Sequence, residues 1–195
     1  MPRSISVTFD YRCPFAYNGN AATVNAVREG KDLAVTYLAF SLDQVHVEEG
    51  APPVWEREPS EWGSGVLALL YGITVRDHFP EHFADAHLAL FAARHDQALQ
   101  IEKEEVLRDT VAAAGLDSDA VAAEVANGAA LKTLAAEHTE AVERWGVFGV
   151  PTFIEGENAA FIRFMERGIV ADLERALELL PWADLNEFKR PRVPR

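Results

Sequence analysis

The hydrophobic pattern at the start of the chain predicts a strand, a helix and a second strand. Ile5, Val7 and Phe9 alternate with polar residues, which is typical of a β-strand. A helix is predicted over 14–29, because a proline at position 14 suits a first helical turn, where its missing N–H would have no partner anyway. Residues 33–40, rich in Val, Leu and aromatics, form a second predicted strand. This β-α-β order requires a parallel strand pair joined by a crossover helix.

The period of the pattern changes twice in the rest of the chain. Residues 42–60 are mixed and contain three prolines, so they are predicted to form a long loop. Apolar residues recur at helical spacing over 61–146. Two short strands at 150–154 and 159–164 flank a turn, which predicts a hairpin, and an amphipathic helix follows to residue 180.

These elements predict an α/β protein with a thioredoxin-like arrangement, a mixed four-stranded sheet with a helical insertion. Residues 1–45 supply the first part of the sheet, with Cys13, and residues 46–128 form the loop and the helical insertion. Residues 129–183 supply the second part, with a helix, the hairpin and the last helix. Residues 184–195 are a tail that we expect to lie over the surface.

Composition and charge narrow the choice of partner and compartment. Apolar residues make up 49% of the chain, which is enough for a substantial core. The 18 basic and 31 acidic residues give a net charge of −13, so we expect neither nucleic acid nor an anionic membrane as a partner. The sequence shows no signal peptide and no run long enough to span a bilayer. With a single cysteine as well, we expect a cytoplasmic protein.

Cys13, the one cysteine, is the leading candidate for chemistry. A helix start offers free N–H groups and partial positive charge, which favour a thiolate, and Arg12 places a full charge beside it. We therefore expect Cys13 to have a lowered pKa and to act as a nucleophile. The alternative is that Cys13 is a small buried apolar residue, which is the usual fate of a free cysteine.

Pro151 is the second candidate, because it stands at the entry of a predicted strand. A proline is tolerated there only at an edge or an entry position, and such sites can hold a cis bond. A cis bond after Val150 would turn the Val150 backbone outward. Its N–H and C=O groups could then pair with an extended substrate that lies beside the sulfur of Cys13.

Two motifs carry a family resemblance. Cys13-Pro14-Phe15-Ala16 follows a strand, 149–153 precedes a hairpin, and together they resemble the signatures of DsbA-like thioredoxin-fold proteins. The resemblance implies redox or thiol-transfer chemistry, with Cys13 as nucleophile and Pro151 lining the substrate groove. The chain end, from Leu185 onward, also resembles a mycothiol-dependent reductase branch.

The chain departs from that family at Ala16, where a second, resolving cysteine usually stands. A dithiol cycle within one chain is then impossible, which leaves a monothiol reaction of Cys13 with a low-molecular-weight thiol, glutathione or mycothiol. Small-molecule or disulfide substrates fit this chemistry, and a homodimer is possible. Kappa-class glutathione transferases and 2-hydroxychromene-2-carboxylate isomerases, which use a serine at the position of Cys13, are the alternative. A non-catalytic binding module is a third reading.

Residues beside the cysteine are candidates for binding substrate or thiol: Arg12, Pro14, Phe15, Tyr17, Val150 and Pro151. The aromatic rings among them could stack on a flat substrate or simply pack beneath the helix. Four histidines lie close together, at 78, 82, 87 and 95, but no HExxH pattern is present, so we expect surface or interface histidines and no metal. His138 lies on an apolar stripe and is predicted to be a core histidine with its hydrogen bonds satisfied.

Overall fold

The structure, a computed structural model, describes residues 1–182, 184–187 and 189 and has one four-stranded sheet in that part of the chain. Its strands are β1 (Arg3–Phe9), β2 (Leu33–Ala39), β3 (Thr152–Glu155) and β4 (Asn158–Phe161). They lie in the order β2-β1-β3-β4, with β1 parallel to β2 and the other neighbours antiparallel. The predicted α/β fold with a mixed four-stranded sheet is confirmed.

Helices surround this sheet, and most of them lie where the apolar spacing predicts. In chain order they are α1 (Pro14–Arg28), α2 (Leu42–Val45), α3 (Val66–His78), α4 (Phe83–His95), α5 (Glu104–Ala113), α6 (Ser118–Ala126), α7 (Ala129–Trp145) and α8 (Val170–Leu179). The prediction of a loop over 42–60 is wrong in part. Ser41 starts α2 by accepting the Gln44 N–H at 3.2 Å, and short 3-10 turns follow at Val54–Glu56 and Pro59–Glu61.

Two apolar clusters hold the layers together. One joins the sheet to α1 and α8 and contains Val7, Phe153 and Leu173 among its fully buried residues. The larger one joins the end of β1 to the helical insertion and α7, with Phe9 and Leu134 buried in it. Helices α3 to α6 therefore pack as a block against α1 and α7. None of the helices described has both the length and the apolar composition that crossing a membrane requires.

The sheet topology brings the two candidate motifs to the same edge. Because β3 runs antiparallel to β1, the start of β3 lies beside the end of β1. The Thr152 N–H donates to Thr8 Oγ1 at 2.8 Å, which fixes this register inside the core. The predicted surface tail, 184–195, falls largely outside the described residues, since 188 and 190–195 are not among them.

Candidate active site

Cys13 is the N-cap residue of α1. Its sulfur accepts a hydrogen bond from the Ala16 N–H, 3.4 Å away, and its own N–H donates to the Asp10 carbonyl at 3.1 Å. Pro14 follows in the first turn, where its missing N–H leaves nothing unpaired. The thiol is partly exposed, whereas Ala16, at the position of the missing second cysteine, is fully buried. The sequence thus places one accessible sulfur at a helix start.

The segment before β3 lies against this sulfur. The Val150–Pro151 peptide bond is cis, the isomer expected from the sequence. The Cys13 thiol donates to the Val150 carbonyl, with 3.4 Å between Sγ and oxygen. Val150 itself is only 2% exposed. The sequence suggests that a ligand pairs with the Val150 carbonyl. Such a ligand would replace the hydrogen bond that the Cys13 thiol donates to this oxygen.

The pKa of Cys13 corrects the sequence expectation. Burial raises the pKa of the thiol above its ordinary value, and the N–H groups of Ala16 and Phe15 lower it by less than burial raises it. The negative charge of Asp10 adds to the rise, and the charge of Arg163 opposes it. The helix start acts in the predicted direction, but desolvation has the larger effect. Cys13 is therefore a protonated thiol at neutral pH.

Arg12 does not act as the free cation that its position next to Cys13 suggests. Its guanidinium lies 2.7 Å from Asp43 Oδ1 and 3.7 Å from Asp10 Oδ1. Asp10 is fully buried, and its carboxylate also accepts the N–H groups of Arg12 and Leu42, both at 2.8 Å. Burial raises the pKa of Asp10, and the Arg12 charge lowers it. Arg12 thus ties the cysteine loop to α2, and its charge is balanced by two carboxylates.

A glycine loop before α3 makes room for this ion pair. A side chain at Gly63 would collide with the Asp43 carboxylate, and one at Gly65 would lie 2.9 Å from Arg12 Nε. The Gly65 N–H donates to Asp43 Oδ2 at 3.1 Å. Two glycines in an otherwise ordinary loop were the available sequence signal for this close approach. The sequence alone gave no sign of which residues they approach.

Arg163 is the charged neighbour of Cys13 that sequence reasoning missed. It follows β4, and its guanidinium carbon lies 5.2 Å from the centre of the Phe15 ring. Its positive charge is among the smaller influences on the pKa of Cys13, which it lowers against the larger effect of burial. No sequence pattern links Arg163 to the cysteine, because only the hairpin of β3 and β4 returns it to this edge. The structure thus brings a cysteine, a cis proline and an arginine to one edge of the sheet.

The family is decided by comparison with protein-family models. Residues 4–168 match the model described as DSBA-like thioredoxin domain. The chain belongs to the DsbA-like family. No curated protein matches it in sequence.

Solved structures resemble this DsbA-like chain in fold at low sequence identity. A 2-hydroxychromene-2-carboxylate isomerase has a TM-score of 0.64 at 17% identity, covering 94% of this chain and 100% of the other. DsbA from Pseudomonas aeruginosa has a TM-score of 0.60 at 19% identity, covering 83% of this chain and 74% of the other. A "probable DsbA oxidoreductase" from Streptomyces coelicolor has a TM-score of 0.63 at 18% identity, covering 96% and 93%. Likenesses at this level show a shared fold.

Tyr17 has a different place in the DsbA-like fold from the one predicted for it. It is 7% exposed, and its hydroxyl donates to Asp96 Oδ2 at 3.1 Å. Arg167 stacks over the Tyr17 ring at 3.7 Å and donates to both Asp96 oxygens at 2.8 and 2.9 Å. Tyr17 thus joins α1 to the helical insertion and offers little surface to a ligand, contrary to its predicted role in the binding groove.

His87 is also placed differently from the prediction of surface histidines. It is fully buried, with Nδ1 2.8 Å from the Tyr11 hydroxyl and Nε2 3.1 Å from Asn20 Oδ1. Asn20 donates its own amide to the Thr8 and Ala16 carbonyls, so its Oδ1 is the acceptor and His87 Nε2 carries the proton. Tyr11 then donates to Nδ1. Burial lowers the pKa of His87 to about 3, in agreement with this neutral form.

The other histidines have ordinary structural surroundings. His138 is buried, accepts the Ser41 N–H on Nδ1 at 3.2 Å and stacks on Phe40, which confirms its predicted place in the core. His78 and His82 lie at the surface, each 3.8 Å from a glutamate. Within the described residues, no group of three or more His, Cys, Asp or Glu is arranged to hold a metal ion.

Aromatic side chains border the cysteine edge. Phe148 is 67% exposed and its ring lies 5.2 Å from that of Phe161, which would also contact a side chain at Gly149. Phe15 is half-buried beneath Arg163, and Pro14 is exposed. The surface near the sulfur thus combines apolar rings with a cation, and it suits a ligand that has both an apolar part and a polar group.

Proposed function

We propose that this DsbA-like chain is a thiol-dependent oxidoreductase that works through Cys13 alone, together with a low-molecular-weight thiol such as glutathione or mycothiol. The observation that carries the proposal is the position of the only cysteine. Its partly exposed sulfur caps α1 and lies 3.4 Å from the Val150 carbonyl of the cis-proline segment. Substrates are small molecules or disulfides.

The reaction balances with one protein sulfur. The deprotonated Cys13 attacks one sulfur of a disulfide, so that a mixed disulfide forms and the other sulfur leaves as a thiolate. A small thiolate then attacks the outer sulfur of the mixed disulfide, which releases Cys13 as a thiolate and forms a new disulfide. The proton of Cys13 leaves at the first step and returns at the last. Because burial raises the pKa of Cys13, the thiolate that carries out the first step is the less populated form at neutral pH.

Membership of the DsbA-like family supports an enzyme of this broad kind, and the DsbA structures that resemble the chain agree with it. The remaining parts of the proposal rest on the sequence. The single cysteine favours the cytoplasm. The net charge of −13 disfavours binding to nucleic acid and to membrane surfaces. A homodimer is compatible with the chemistry, since each subunit would have its own Cys13.

A second candidate is an isomerase or transferase that holds a thiol cofactor without disulfide exchange. The protonated Cys13 favours it, because an S–H group can donate to the thiolate of a bound cofactor as it donates here to Val150. The structural likeness to a 2-hydroxychromene-2-carboxylate isomerase points the same way. In this reading the sulfur of Cys13 forms no covalent bond.

A turnover assay with candidate thiols added singly tests the proposal, with Cys13→Ser and Cys13→Ala as matched variants. For the oxidoreductase we expect no turnover without a small thiol and no turnover in either variant. Activity kept by Cys13→Ser but lost by Cys13→Ala would support the cofactor-holding enzyme, because serine retains a donor. Multiple turnovers without any small thiol would contradict the monothiol cycle, and a parent protein inactive with every thiol would support a binding module.

A further inference from the structure

We propose that Arg163 selects disulfides that carry a carboxylate near the sulfur, so that the site prefers acidic aromatic or apolar partners over neutral ones. This inference rests on the proposed exchange at Cys13 and names the substrate class of that site. It concerns recognition only: the carboxylate pairs with the guanidinium and takes no part in the transfer of sulfur.

The backbone around Arg163 is fixed next to the cis-proline segment. The N–H of Ile162 donates to the Pro151 carbonyl at 3.2 Å. The Asn18 side chain, which lies on α1, donates to the Phe164 carbonyl at 2.9 Å. The residues on both sides of Arg163 are therefore tied to the cis-proline segment and to α1. Its side chain starts from a defined position above the start of α1.

The guanidinium of Arg163 is available to a ligand. Arg163 is exposed, and among the residues that the structure describes no carboxylate lies within 4.0 Å of its nitrogen atoms. Most other arginines in that part of the chain have such a partner; Arg167, on the same segment, pairs with Asp96. In a chain with a net charge of −13, Arg163 is thus a cation whose charge acts on Cys13 and whose nitrogens have no carboxylate partner among the described residues. An arginine fork fits a carboxylate by two parallel hydrogen bonds.

The neighbouring ring defines the rest of the ligand. The Arg163 guanidinium lies 5.2 Å from the centre of the Phe15 ring, in the range of a cation–π contact. A flat or apolar group could lie against Phe15 while its carboxylate reaches the guanidinium. Glutathione has the required acidic groups, because both ends of this peptide are carboxylates. An acidic aryl disulfide has them on a rigid ring.

The charge of Arg163 also affects the sulfur itself, so a test must separate the two effects. Burial dominates the pKa of Cys13 and raises it, while the Arg163 charge lowers it. Removing the charge would therefore slow every reaction of the thiolate, whichever disulfide is used. The ratio of the rates with an acidic and a neutral disulfide cancels this common factor and leaves recognition.

The experiment measures single-turnover rates of Cys13 with a diaryl disulfide that carries carboxylates and with its carboxamide counterpart, each divided by its rate with a free model thiol. We expect the parent to favour the acid by about fivefold, the size expected for one exposed charge pair. R163Q should lose this preference, and R163K should keep part of it. R175Q, which removes an equal charge from exposed α8, should behave as the parent does.

The outcomes distinguish this inference from the function on which it rests. Equal normalised rates in the parent, or an unchanged preference in R163Q, would overturn the assignment to Arg163 and leave thiol exchange at Cys13 standing. Failure of Cys13 to react with either disulfide, in protein shown to be folded by circular dichroism, would overturn the proposed exchange and this inference with it.

Discussion

Arg12 Nη1 and Asp43 Oδ1 form an ion pair of 2.7 Å, one residue before Cys13. The same carboxylate accepts the Gly65 N–H at 3.1 Å, so it holds two loops at once. This pair explains why the charge of Arg12 does little for the neighbouring sulfur. It also defines a change that would release that charge.

Asp43→Asn should lower the pKa of Cys13, because Arg12 would then face one carboxylate in place of two. The measurement is the rate of alkylation by iodoacetamide against pH, whose midpoint should move to lower pH than in the parent. Asp172→Asn, which breaks an exposed pair with Arg175 on α8, is the matched control and should leave the midpoint in place. A midpoint that stays or rises in Asp43→Asn would show that Arg12 does not act on the sulfur.

The parent protein should show a Cys13 midpoint above the ordinary thiol value of about 8.5, because burial outweighs the N–H groups at the start of α1. Activity through the thiolate should then rise with pH across the neutral range. Arg163→Gln should move the midpoint further up, since it removes an opposing charge. A parent midpoint below the ordinary value would mean that the helix start dominates after all.

Acid should destabilise the fold through His87. Its pKa of about 3 in the folded protein lies below the ordinary 6.5, so the unfolded chain binds the proton first. Stability from this group is therefore complete above about pH 6.5 and is lost as the pH falls towards 3, by on the order of 5 kcal/mol at most. Urea unfolding at stepped pH should show this loss.

Two variants test the assignment to His87. His87→Gln should lower stability at neutral pH and flatten the acid dependence, with a remaining slope from His138, whose pKa burial lowers to about 4. His78→Gln, at the surface, should retain the slope of the parent. An unchanged slope in His87→Gln would place the acid sensitivity elsewhere.

Ala16→Cys should change the redox cycle without changing the fold. Position 16 lies in the first turn of α1, and its N–H already contacts the Cys13 sulfur at 3.4 Å. A second thiol there could attack the mixed disulfide within the chain, so release of the substrate should no longer need a small thiol. The test is a single turnover with no added thiol: Ala16→Cys should release the substrate thiol from its mixed disulfide, whereas the parent and the control Ala16→Ser should retain it. Release by the parent to the same extent as by Ala16→Cys would contradict the monothiol explanation.

The sequence predicted the sheet and the main helices because their signals are local. Alternation at Ile5, Val7 and Phe9 and the proline at the start of α1 depend on near neighbours, and both elements appear as expected. The loop over 42–60 was misjudged because α2 is only one turn long and is started by the Ser41 cap. A helix that short has no apolar period to detect.

The charges and hydrogen bonds around the Cys13 sulfur could not be predicted from the sequence, because they depend on contacts between distant parts of the chain. The pKa of Cys13 depends on how deeply the fold buries it, and that is a property of the whole chain. The partner of Arg12 comes from α2, the free cation from the segment after β4, and the partner of Tyr17 from the end of α4. The residues next to Cys13, Arg12 and Tyr17 in sequence therefore do not show which charged groups lie against them in the fold.

The glycine loop at 63–65 has a consequence for related sequences. The space beside Gly63 and Gly65 is filled by the Asp43 carboxylate and the Arg12 guanidinium, so these four positions should change together during divergence. A relative with a bulky residue at the position of Gly63 should also lack the acidic residue at 43, and its arginine at 12 would face only the carboxylate at 10. Covariation among these positions would then separate relatives with a weakly acidic thiol from relatives with a reactive one.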